Sequence, residues 1–273
     1  MATITAQPTD VGSPPRVGLA TAASDAATIT RRYLTHILRQ PQLLVFSTIQ
    51  PVMFVLLFRY VFGGLSQLLP PEFGGNYANF LLPGIFVQSI AFGSTQTAIA
   101  LSDDLAKGVI DRFRSLPMAR SAVLIGRTTA DLVRGFFVVV IMTLVGLVIG
   151  FRPEWFGLLG AIAVVVGFGF AMSWIYALVG MSVPNTETAQ AASFVVTFPL
   201  VFASAVFVPT QTMPGWLQTL ANNNPITHVA EASRWMATGV GDGTDNLLWS
   251  IVWIFSLLVV FVPLSVRRYR NMS

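Results

Sequence analysis

Charge is scarce in this sequence. Only 10% of its 273 residues are Asp, Glu, Lys or Arg, against 54% that are hydrophobic, and the mean hydropathy is +0.69. A soluble domain carries about 25% charged residues, and a fold of this length could not cover its surface with so few. The chain is an integral membrane protein. Cysteine is absent, which excludes a disulfide framework and a thiolate metal site. The two histidines, His36 and His228, fall on opposite sides of the expected bilayer, so no histidine pair forms within one chain to hold a metal. There is no G-x-x-x-x-G-K-[ST] phosphate loop, so the chain by itself is not an ATPase. No serine stands in a His and Asp pattern. The chain therefore reads as a non-catalytic subunit with no cofactor, and no nucleic-acid partner is expected. Residues 1 to 28, rich in Ala, Thr, Ser and Pro, have no apolar core of a signal peptide and read as a disordered cytosolic tail.

What is present is apolar runs. A membrane-crossing helix needs about 20 mostly apolar residues, and six segments qualify: about 43–62, 80–101, 133–151, 156–181, 189–208 and 247–266. Pro51, Pro83 and Pro199 fall in or at the ends of these spans, where they kink a helix. With the N-terminus inside, thirteen of the sixteen basic residues are cytosolic, as the positive-inside tendency requires. Both termini are then cytosolic in a multi-pass cell (plasma) membrane protein. The fold class is all-α, with one membrane domain over residues 29–273. Before the first span, "TITRRYLTHILRQP" puts Ile29, Tyr33 and Ile37 on one helical stripe. Such a helix lies in the headgroup plane, apolar side toward lipid and arginines toward anionic headgroups.

One loop breaks the apolar pattern. "DDLAKGVIDRFRSLPMAR", residues 103 to 120, holds three carboxylates, one lysine and three arginines. Val109, Ile110, Phe113 and Leu116 recur on one helix face, and Lys107, Asp111, Arg112 and Arg114 take the other positions. Ser102 is a candidate N-cap, Asp103 and Asp104 stand at the expected positive end of the helix dipole, and Pro117 ends the segment. The product is a short amphipathic cytosolic helix. Its apolar face either lies in lipid or docks in a groove of a cytosolic protein.

This stretch, extended to "DDLAKGVIDRFRSLPMARSAVLIGR", resembles the cytosolic loop of ABC-2-type transporter permeases, most closely the daunorubicin-resistance branch of multidrug exporters. A second stretch, "MPGWLQTLANNNPITHVAEASRW" (213–235), is similar to that family's extracellular segment before the last span. The resemblance implies a permease that pairs with a separate cytosolic ATPase subunit and exports hydrophobic or amphipathic compounds such as drugs or antibiotics. Residues 103 to 116 would be the coupling helix, with Asp103, Asp104, Lys107, Val109, Ile110, Asp111, Arg112, Phe113 and Arg114 as the docking residues. The family often carries Glu in this loop where this chain has Asp.

Other polar places admit two readings each. Arg127, Asp131 and Arg134 lie at i, i+4 and i+7 at the start of the third span, either as an exposed interfacial ladder or as a relay from the loop helix. Gln88 and Thr95 in the second span either bond across helices or line a substrate route with Phe54, Phe58, Phe86 and Phe92; these phenylalanines equally suit plain packing. The "NNNP" turn with Asn224 and Pro225 breaks any helix, and Glu231 pairs with Arg234 at i, i+3. A re-entrant helical hairpin in the outer leaflet fits this stretch. Six spans are few to enclose a pathway, so a second permease chain, identical or paralogous, is expected, and membrane lipid surrounds both. Two rival functions stay open: export of an envelope lipid, glycolipid or polysaccharide, and a non-transporting scaffold that recruits a cytosolic protein.

Overall fold

Tyr77 to Ala106 form the most enclosed helix of the molecule, with two-thirds (67%) of its apolar window buried. Everything else is arranged around it. The computed structural model describes residues 19–39, 41–61, 76–110, 120–240 and 243–272. Among them the regular elements are helices: α1 (Leu19–Arg39), α2 (Pro41–Val61), α3 (Tyr77–Ala106), α4 (Arg120–Val148), α5 (Trp155–Gly180), α6 (Thr186–Phe202), α7 (Gly215–Asn222), α8 (Pro225–Thr238) and α9 (Thr244–Asn271), with a 3₁₀ turn at Thr210–Thr212.

Four helices, α3, α4, α5 and α9, are long and apolar enough to cross a membrane; α2 offers a shorter apolar stretch, Thr48–Val61, and α6 has 17 residues. Each expected span thus overlaps a helix, but the fifth, expected to run to Val208, is helical only to Phe202 and continues as an irregular segment. The main core lies where α3 meets α4, α5, α6 and α8, around Leu81, Ile85, Phe86, Met142, Phe168 and Val229. By contrast, α9 has 6% of its window buried and presents Trp249, Phe255 and Val259 outward, as a lipid-facing helix does.

Two expectations need correction. Residues 19 to 28, placed in the disordered tail, are helical; "LATAASDAAT" carries five alanines, the best helix formers. The stripe of α1 does not simply face lipid. Ile29 and Tyr33 are buried with Ala130 of α4, and Thr30 Oγ1 donates to Gly126 O at 3.3 Å. At Ile29 and Tyr33 that face is covered by protein, and the Ile37 side chain lies outside the described ones.

Before α9 the chain makes a helix-turn-helix, α7 and α8. Asn224 builds the turn: its Oδ1 accepts from Ile226 N at 2.9 Å, and Nδ2 donates to Leu200 O (2.7 Å) and Ala203 O (2.8 Å) at the end of α6. Pro225 occupies the first turn of α8, where its missing N–H has no partner to lose. α8 then lies so close to α5 that a Cβ on Gly157 would strike Met236 O.

Candidate functional site

The charged loop departs from its sequence pattern at the start. Ser102 is not a cap: it is buried inside α3, which continues through Asp103 and Asp104 to Ala106. The two carboxylates therefore stand at the negative end of a helix dipole, the unfavourable end. Local partners offset this. Lys107 Nζ holds Asp103 Oδ2 at 2.7 Å, and this hydrogen bond lifts the lysine above its ordinary range. Tyr33 Oη of α1 donates to Asp104 Oδ2 at 2.6 Å; burial first, then the Asp104 charge, push the phenol well above its usual value. Gly108, at φ +65°, ends the run in a left-handed turn that suits glycine. A new helical turn starts at Val109 and Ile110. Val109 is half-buried, and Ile110 points inward against Leu101, Leu124 and Tyr269, so Ile110 is withdrawn from any docking face. Asp111, Arg112, Phe113 and Arg114 lie outside the described residues.

From this loop a polar chain runs into the bundle. Arg127 of α4 lies over the Tyr33 ring, 5.0 Å from its centroid. Its Nε is 3.2 Å from Asp131 Oδ2, as an ion pair whose angle is too poor for a hydrogen bond. Asp131 also accepts from Thr97 Oγ1 of α3 at 2.6 Å and faces Arg134 Nε at 3.5 Å. Arg134 Nη2 donates to Gly93 O at 2.7 Å. The ladder is thus buried and clamped to α3, with the Asp131 side chain 3% exposed. The expectation of an exposed interfacial ladder fails because α4 begins at Arg120 and carries these residues into its body. At 1.5 Å per residue, Asp131 stands about 26 Å from the Val148 end of α4, close to the thickness of the hydrocarbon core of about 30 Å. Arg134 stands about 21 Å from that end.

Arg134 and Asp131 border a cavity of about 90 Å³ between α2, α3, α4 and α5. Phe54, Gln88 and Phe92 also line it. Three other residues expected on a route do not. Phe86 is fully buried, edge-on to Phe151 at 6.3 Å. Thr95 is buried and donates to Phe92 O at 2.7 Å. Phe58 stacks on Phe207 at 4.6 Å, in a cluster that continues through Phe202 to Phe198.

At the opposite end of α3 a second polar knot forms around Arg234 of α8, 1% exposed. Its Nη1 donates to Glu231 Oε1 at 2.6 Å, Nε to Phe80 O at 2.7 Å, and Nη2 to Val206 O at 2.9 Å and to Ala205 O. The guanidinium also lies 3.8 Å over the Phe80 ring. One side chain thereby fastens α8 to α3 and to the irregular segment after α6. The i, i+3 pair was readable in sequence; the carbonyl partners, 28 to 154 residues away, were not. Thr97 and Tyr33 were also missed as partners, since nothing local distinguishes them from other buried hydroxyls.

Helices of membrane length, two polar knots inside them and a charged loop form a frame with no catalytic constellation among the described residues. Residues 25–237 match the family model described as ABC-2 type transporter. The chain belongs to that family. Relatives of this ABC-2 chain include the daunorubicin resistance ABC transporter permease protein DrrB1 of Streptomyces coeruleorubidus, 37% identical over 90% of this chain and 88% of the relative. The probable doxorubicin resistance ABC transporter permease protein DrrC of Mycobacterium tuberculosis is 28% identical over 89% and 87%. A putative transport permease, ycf38 of Cyanophora paradoxa, is 27% identical over 76% and 72%. Membership makes this chain the membrane component of a transporter, without a catalytic role of its own.

Proposed function

We propose that this chain is the permease subunit of an exporter that moves hydrophobic or amphipathic compounds, drugs or antibiotics among them, out of the cell. Energy comes from ATP hydrolysed in a separate cytosolic subunit, and two permease chains enclose the route. The observation that carries the reading is the match along nine-tenths of the chain to a permease whose name specifies daunorubicin resistance. In this reading six helices (α2, α3, α4, α5, α6 and α9) span the plasma membrane, both termini are cytosolic, and α7 and α8 are a re-entrant hairpin in the outer leaflet.

The loop after α3 receives the stroke. A push there has a continuous polar path inward: Asp104 to Tyr33, Tyr33 to Arg127, and Arg127 through Asp131 to Thr97 and Arg134. Buried ion pairs move as units, because separating them leaves an uncompensated charge in an apolar medium. The loop and α3 to α4 contact therefore shift together, and the cavity walls between these helices shift with them.

Reconstitution with a candidate partner ATPase subunit tests the proposal. Vesicles holding both proteins extrude daunorubicin on ATP addition, and vesicles with either alone do not. Val109→Asp and Phe113→Asp abolish ATPase recruitment while membrane insertion is retained. Extrusion by this chain alone, or unchanged recruitment by both variants, would overturn the reading.

A further inference from the structure

The cavity between α2, α3, α4 and α5 has an unsatisfied acceptor in its lining. Gln88 is 3% exposed, and its Oε1 has no hydrogen-bond partner among the described residues. A buried carbonyl oxygen that loses water and gains no donor bears its full desolvation cost, and buried polar groups are as a rule paired. The neighbouring hydroxyls do not supply the missing donor. Ser89 Oγ donates to Ile85 O at 2.7 Å, Ser173 Oγ to Gly169 O at 2.9 Å, and Ser94 Oγ to Ile90 O and Gly169 O at 2.8 and 3.1 Å. A hydroxyl has one proton, so these three serines of the lining are left as acceptors.

Charge, size and access select what fits. Asp131 and Arg134, the two charged residues of the lining among those described, face each other at 3.5 Å, so the wall has no net charge. Asp131 is held by Thr97 and Arg127 as well, so its charge is already met and an ammonium gains little from it. An anion would meet acceptors at Gln88 and the serines. What remains is a neutral hydrogen-bond donor. The volume, about 90 Å³, is below the roughly 150 Å³ that admits a benzene ring, which leaves room for a hydroxyl and the first carbons of a chain. Phe54, Phe92, Leu132 and Val138 supply an apolar wall for those carbons, and the exposed Gln50 and Gln96 in the lining put the mouth at the protein surface.

We infer that this cavity takes the terminal hydroxyl of a neutral single-chain amphiphile, which donates to Gln88 Oε1 while its carbon chain follows the apolar wall at Phe54 and Phe92. The inference rests on the reading of this chain as a conduit for amphipathic cargo and adds the chemistry of one binding step. Binding needs neither ATP nor a partner, so its failure and the failure of export are separate results.

The full chain in nanodiscs of phosphatidylcholine, a lipid without hydroxyls, is titrated with a dansyl-tagged undecanol, and the signal of empty discs is subtracted. Saturable binding is expected for the alcohol, and roughly tenfold weaker binding for its methyl ether, which cannot donate. The matching alkylamine and carboxylate bind more weakly than the alcohol, since neither finds an unmet opposite charge. Gln88→Met, which replaces the amide by an apolar chain of the same length, makes alcohol and ether equal without lowering the melting temperature, because no partner within the protein is lost. Displacement of the probe by monooleoylglycerol assigns the hydroxyl to a membrane lipid; lack of displacement assigns it to a diffusible compound. Equal affinity for alcohol and ether, tighter binding of amine or acid, or undiminished alcohol binding by Gln88→Met overturns the inference. Absence of saturable binding overturns it too, and means that water alone meets the amide.

Discussion

At the residue scale, Arg234 shows how a charge is held inside an apolar bundle. A guanidinium presents five donors in a rigid plane, and this one reaches one carboxylate and three carbonyls at once. Those carbonyls belong to Phe80 in α3 and to the non-helical segment at Ala205 and Val206, where no helical N–H serves them. Lysine cannot reproduce the fork. Arg234→Lys is therefore expected to destabilise by about 2–4 kcal/mol, since at least one carbonyl is left buried and unpaired. Glu231→Gln is expected to change stability by less than about 1 kcal/mol, because that carboxyl is one-third exposed and water screens the loss. Unfolding by sodium dodecyl sulfate titration in mixed micelles checks the order; equal losses would mean that the ion pair, not the carbonyl clamp, carries the energy.

At the scale of elements, α1 and α3 are joined through Tyr33 and Asp104. The phenol keeps its proton in the fold, so the sign of its pH dependence is set. A group raised by burial contributes stability below its unfolded value of about 10 and loses it as pH climbs toward the folded value. Tyr33→Phe removes a hydrogen bond to a charged acceptor, worth about 1.5–3 kcal/mol. Amide exchange is then expected to speed up in α1 and at the end of α3 while α8 is unaffected, with no difference across neutral pH. Unchanged exchange in α1 would show that its contact with Ala130 suffices. The short helix expected from Ser102 onward does not begin there: α3 continues through Asp103 and Asp104, whose carboxylates are held by Lys107 and by the Tyr33 hydroxyl, and Gly108 makes the break four residues later than Asp104.

For the whole molecule, orientation in the membrane is the testable quantity. The chain has no cysteine, so single cysteines report cleanly. Arg39→Cys and Asn271→Cys are expected to react with a membrane-impermeant maleimide only after cells are opened, whereas Gln218→Cys in α7 reacts in intact cells. The reverse pattern would invert the proposed topology and place the charged loop outside, away from any ATPase. The bare apolar faces of α9 and of α6, where Val195 and Phe198 are exposed, leave ample surface for lipid and a second chain.

The sequence alone determined the membrane class, the apolar stretch of each of the four long apolar helices, the hairpin turn at Asn224 and Pro225 and the spacing of Arg127, Asp131 and Arg134. These are local properties: apolar length, a residue type at a turn, a period along one helix. Only the tertiary structure decided that the ladder is buried and clamped by Thr97, that Ile110 faces inward, that Phe86 and Thr95 are filler while Gln88 borders a cavity, and that α1 leans on α4. Burial and hydrogen-bond partners depend on which helices become neighbours, and that is settled by packing among residues far apart in the chain, which no window of sequence contains.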